Sequence, residues 1–212
     1  MANEEKSSGD SRRIEIARVA LTHFLEKGYG SASMAGIARD VGIEKASLYH
    51  HFGSKEDLFL QALAVDFAEP MDRISALAAD PQVEPKALFV SALRILYDVM
   101  LQSPIGRLVT VISETARTQP TVARGFHDRF ILRFEAALAA AYQPAVEADV
   151  LRPLPQDEVN MLVFAPLMEM SITAAIFEAH PDLSEKYIQP DSKDRYVAMM
   201  LDALRARTGN DS

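Results

Sequence analysis

Ala46-Ser-Leu-Tyr-His-His-Phe-Gly-Ser-Lys-Glu-Asp-Leu58 decides the reading of this chain. The full sequence holds five histidines and six tyrosines, yet here a tyrosine and two histidines stand in consecutive positions. At about 100° per residue, a helix over Glu44–Phe52 carries Leu48 and Phe52 on one side. Ile43 joins them from the preceding turn. Ala46, Ser47 and His50 fall opposite, with Lys45, Tyr49 and His51 on the shoulders. Such a helix buries a thin apolar edge and exposes donors, a phenol and imidazoles.

The flanks make this helix part of a larger unit. A helix over Met34–Val41 precedes it, with Ser33 as N-cap and Gly42 just past its end. The tight turn Asp40-Val-Gly-Ile-Glu44 links the two, which is the helix-turn-helix arrangement. Upstream, Ile16, Ala20 and Phe24 recur every four residues, with Ala17 and Leu21 beside them. That period predicts a helix over Arg12–Lys27, capped by Asp10 or Ser11 and closed by Gly28. Downstream, Ser54-Lys-Glu-Asp57 has capping-box spacing before the apolar run Leu58–Leu63. Pro70 is expected to end or kink the helix that starts there.

The side chains suit double-stranded DNA. In a helix-turn-helix the second helix sets its N-terminal part against base edges in the major groove. Lys45 can donate to guanine, Ser47 reaches several base edges, and Ala46 can meet a thymine methyl. Tyr49 and His51 carry donors at the reach of phosphate oxygens, and His50 shares the exposed face. Ser33 and Ser54 open helices whose free N–H groups favour anions, and Lys55 adds a charge beside the second. Adjacent histidines on a helix point about 100° apart, a poor chelating pair, so no metal is expected.

Charge agrees with this placement. The chain carries a net charge of −8. Between residues 11 and 57, however, seven basic side chains offset six acidic ones, so the acidic excess lies elsewhere. A near-neutral head on an acidic body suits a protein whose first quarter alone meets a polyanion.

The run from Arg13 to Leu58 resembles the DNA-binding domain of the TetR family, the tetracycline-repressor-like regulators. The matching pieces are Phe24-Leu-Glu-Lys-Gly-Tyr29, Ser33-Met-Ala-Gly-Ile-Ala38, Val41-Gly-Ile43, Leu48-Tyr-His-His-Phe52 and Ser54-Lys-Glu-Asp-Leu58. Glu44 departs from the Ser or Asn common there, and Ala46 from a common Gly. The resemblance implies that Ser33, Lys45, Ser47, Tyr49, His51 and Lys55 sit where the family contacts DNA. It also implies an all-α regulatory domain that binds a small ligand and pairs with a second copy.

Beyond the head the pattern stays helical. Helices are expected near 86–102, 105–117, 121–142, 157–179 and 192–207, with no sustained strand alternation. The expected organisation is a polar tail over 1–10, a head over 11–57, a regulatory and dimerisation domain over 58–208, and a tail over 209–212. Two late helices carry more apolar surface than one core face needs. Leu162, Phe164, Leu167, Met170 and Ile176 on the first, and Val197, Met200, Leu201 and Leu204 on the second, are the candidate dimer interface. The alternative is that both helices are buried within one chain. Arg94, Tyr97, Glu114, His127 and Met168 are polar or soft residues in apolar helices, and so are pocket candidates. Leu162 joins them because Pro166 can leave its carbonyl free.

Other classes find little support. The sequence has no HExxH, no Gly-rich phosphate loop, no GxSxG and no cysteine, so neither an enzyme nor a cofactor is expected. No window reaches 18 unbroken apolar residues and the N-terminus lacks a signal-peptide pattern, which predicts a cytoplasmic protein without a membrane partner. The resemblance thus implies a homodimeric repressor released from a palindromic operator by a small effector. An activator, or a regulator without a ligand, would carry the same head.

Overall fold

The computed structural model describes residues 2–189 and 191–206, with backbone only for residues 2–10, Ile105, Val109 and Thr110. Eleven helices follow one another among the described residues, and no strand. They group into two compact units. One comprises the chain up to Ala68 together with Arg107–Phe130, and the other Glu69–Gly106 together with the chain from Ile131.

In the first unit, α1 (Ala2–Ser31) is helical up to Lys27 and breaks at Gly28, where φ is 71°. A side chain is disfavoured in that conformation, so the glycine foreseen as the helix end is where the helix breaks. The backbone of residues 2–10, expected as a tail, is helical and continuous with α1. The short helices α2 (Met34–Val41) and α3 (Lys45–His51) follow, then α4 (Lys55–Ala79). Ile16, Phe24, Ile37, Leu48, Phe52, Leu58 and Phe59 are fully buried and make one core. Phe59 meets the edges of Phe24 and Tyr29, at centroid distances of 4.9 and 5.2 Å.

The same unit takes in α6 (Ile105–Thr118) from Arg107 on, and α7 (Pro120–Phe126). At Gly125 a Cβ would stand 2.4 Å from Leu60 Cδ1, so α7 lies directly on α4. A single π-helical turn, His127–Ile131, follows and stacks Phe126 on Phe130.

In the second unit α5 (Pro85–Leu101) is central. It packs on α8 (Leu132–Glu147), α9 (Gln156–Ile176) and α11 (Ser192–Leu204), while α10 (Pro181–Tyr187) packs on α9. Leu88, Phe89, Leu93 and Leu96 of α5 are buried against this shell. Tyr196 Oη donates to the Val163 carbonyl at 2.9 Å, three residues before Pro166 in α9. That bond ties the proline-containing stretch of α9 to α11.

Four expectations need correction, one of them in part. Of the two outcomes expected at Pro70, an end or a kink, the end does not occur: α4 runs on to Ala79. A proline costs one helical hydrogen bond, and the buried Met71 and Ile74 hold the following turns in place. The single helix foreseen over 121–142 is α7, the π turn and α8 in succession. The gap left between the helices foreseen at 157–179 and 192–207 contains α10, which buries no residue and so has no apolar period to read. Lastly, Leu167, Val197, Met200 and Leu204 are buried by the chain's own helices, not free apolar surface.

By length and composition α9 is apolar enough to cross a bilayer, with mean hydropathy 1.6. It is only sparsely buried, leaving Met161, Ile172 and Ile176 exposed.

Candidate nucleic-acid interface

Two short-range devices aim α3. Gly42 adopts the left-handed conformation (φ 76°, ψ 33°), where its N–H donates to the Arg39 carbonyl at 3.1 Å. Ile43 N–H reaches back to the Ala38 carbonyl at 2.9 Å, completing a Schellman stop to α2. Leu48 and Phe52 then seat α3 in the core. The outer face stays bare: Lys45, Ala46, Tyr49 and His50 are exposed, while Ser47 and His51 are half-buried.

Each residue foreseen for DNA has a definite place. Ser33 Oγ accepts the Gly36 N–H at 3.0 Å, so it caps α2 and is exposed beside that helix start. Ser54 Oγ does the same for Asp57 at 3.0 Å. Glu44 precedes α3 without a capping hydrogen bond, which leaves the first N–H groups of α3 without that side-chain partner. Lys45 Nζ stands 5.9 Å from the Tyr49 ring centroid, so the two form one continuous patch. Lys55 turns another way: Nζ donates to the Gly30 carbonyl at 3.3 Å and lies 4.5 Å over the Tyr29 ring. Burial lowers the Lys55 pKa. Its charge therefore ties the start of α4 to the end of α1 as well as lying near the helix start at Ser54.

The structure adds residues that no local spacing marks. Arg12 Nη2 donates to the Val41 carbonyl at 3.3 Å, and the Arg13 guanidinium lies 4.9 Å over the Phe52 ring. Both thus brace the ends of α2 and α3 from α1. They also act on His51, whose pKa is lowered by burial first, then by the charges of His50, Arg13 and Arg12.

The pocket candidates scatter. Arg94 pairs with Asp194 at 2.6 Å, and Tyr97 is buried beside Tyr196. His127 is exposed and bonded to Asp128 at 2.8 Å, while Leu162 and Met168 are half-buried on α9. Glu114 lines a cleft of about 550 Å³ in the first unit, with Tyr29, Lys55, Glu56 and Arg117 among its walls. Burial and the Glu56 charge push the Tyr29 phenol up to about 12.

Residues 16–62 match the family model described as bacterial regulatory proteins, tetR family. Residues 16–62 are thus the part of this chain that matches the TetR family. Among curated relatives, the HTH-type transcriptional repressor KstR2 of Mycolicibacterium smegmatis is 40% identical over 63 residues, 30% of this chain and 31% of that protein. The IcaR negative transcriptional regulator of the Staphylococcus aureus icaADBC biofilm operon is 46% identical over 48 residues, 23% of this chain and 26% of that protein. The chain thus spans less than a third of the length of these relatives. Solved structures extend the likeness in fold. FadR of Bacillus subtilis, in complex with stearoyl-CoA, superposes with a TM-score of 0.72 at 13% identity, covering 90% of this chain and 98% of that one. KstR2 of Mycobacterium tuberculosis gives 0.62 at 19%, covering 92% and 96%.

A pH dependence follows from His51. Its surroundings disfavour the imidazolium, whereas a phosphate beside it favours that form, so DNA binding takes up a proton. Affinity for duplex DNA is expected to rise as pH falls from 8 to 6, by at most about tenfold per pH unit. His51→Gln flattens that slope in fluorescence anisotropy at fixed salt. Identical slopes for both proteins would remove His51 from the contact.

Proposed function

We propose that this chain is a sequence-specific DNA-binding transcriptional regulator that works in the cytoplasm. On this reading it is a homodimeric repressor, released from a palindromic operator by a small-molecule effector. The observation that carries the reading is α3. Its inner edge is spent on the core, and its outer face presents Lys45, Ala46, Ser47 and Tyr49 beside half-buried His51. Residues 11–57 read the DNA, and 58–208 pair the subunits and receive the effector.

Lys45→Ala is expected to weaken operator binding by about tenfold or more while affecting random duplex less, as a base contact does. Tyr49→Ala weakens both alike, as a phosphate contact does. A log–log plot of affinity against salt should be steep, because bound phosphates release counterions. Folded variants that bind like the parent, or a flat salt plot, would contradict the reading.

One reading head contacts too little DNA for high specificity, and a two-fold dimer doubles the contact. An exposed apolar stripe is formed by Met161, Ala165, Ile172 and Ile176 on α9, joined by Ala198 and Met199 on α11. Leu162, Phe164, Met170 and Leu201 flank it half-buried. We assign the dimer contact to this stripe, which has the self-complementary apolar character an isologous interface needs. Sedimentation should find a dimer for the parent chain and a monomer for Ile172→Glu/Ile176→Glu. A monomeric parent would refute the assignment.

For the effector, the Glu114 cleft is the supporting observation. At saturation a true effector changes operator affinity by typically 5- to 150-fold. Compounds that bind the protein yet leave operator affinity unchanged, throughout a screen, would argue for a regulator without a ligand.

A further inference from the structure

His23 is a buried ionisable group that the reading surface does not use. It sits on α1 beside Phe24 with 5% of its surface exposed. Nε2 lies 2.8 Å from Asp40 Oδ2 in the last turn of α2, and Nδ1 lies 3.3 Å from Lys27 Nζ. An ammonium only donates, so an Nδ1 that accepts from Lys27 leaves the ring proton on Nε2, pointing at Asp40. The other Asp40 oxygen accepts from Arg39 Nε at 3.2 Å. Arg39 first, then His23, hold the Asp40 carboxyl below its ordinary pKa. The ring also reaches the start of α2: a Cβ at Gly36 would stand 3.7 Å from His23 Cε1. One imidazole therefore lies near the first turn of α2 and bonds its last.

Asp40 is two residues before Gly42, whose turn leads directly into α3. A leucine in place of His23 would fill the same core, and Asp40, whose side chain is 43% exposed and bonded to Arg39, would keep water and a partner without it. The pair thus contributes direction more than stability. We propose that His23 is a positioning residue for DNA recognition: bonded to Asp40, it fixes how α2 lies on α1 and so where α3 presents Lys45, Ser47 and Tyr49. This rests on the DNA-binding reading above.

The test compares the full chain with His23→Leu and His23→Gln. Affinity is measured for a selected operator and for random duplex, alongside the urea midpoint. The Gln side-chain amide can donate to Asp40 as Nε2 does. His23→Leu is expected to keep or raise the urea midpoint and its random-duplex affinity, but lose about tenfold on the operator. His23→Gln recovers most of that loss. Nitrogen-15 shifts of His23 in the parent chain should report the Nε2–H tautomer. The proposal is overturned if His23→Leu binds operator like the parent, or if operator and random affinities fall together with the urea midpoint. It is overturned equally by a ring without a proton on Nε2. A parent chain that does not distinguish operator from random duplex would instead refute the underlying DNA reading, and the proposal with it.

Discussion

A helix of seven residues does not persist in water by itself, because the cost of nucleation exceeds what so few hydrogen bonds return. Everything proposed for α3 therefore depends on the burial of Leu48 and Phe52. Those two side chains hold about two turns of helix on the core of the head while leaving the opposite face bare. The Arg13 guanidinium over Phe52 and the Arg12 bond to the Val41 carbonyl brace the same seat from α1. The reading face is thus rigid by proxy: its own residues make few internal contacts, and its geometry is borrowed from α1 and α2.

This division of labour explains which residues were legible beforehand. The head is written in short-range signals. Ser33 and Ser54 cap, Gly28 and Gly42 take positive φ, and a four-residue apolar period fills the core between them. Each needs only its immediate neighbours. His23 escaped notice because nothing local distinguishes an imidazole that reaches Asp40, 17 residues away, from any other histidine in an apolar helix.

The body is harder to read for the same reason. Leu167 and Ile172 look alike in sequence, yet one is fully buried and the other exposed, because the distinction is made by which helices lie against α9. The carbonyl expected to be freed near Pro166 as a ligand acceptor has a neighbour, Val163 O, engaged by Tyr196. The long helices were visible from their apolar content, but the faces they cover were not. The π turn at His127–Ile131 breaks a pattern that reads as one uninterrupted helix.

The most direct test of the central claim, that α3 reads a DNA sequence in a two-fold arrangement, is selection of bound duplexes from a random library, followed by sequencing. The account predicts enrichment of an inverted repeat whose half-sites lie about one helical turn apart, or a multiple of it. It further predicts that Lys45→Ala changes the enriched bases within each half-site without changing their spacing. Recovery of an unenriched library at every salt concentration would contradict the account.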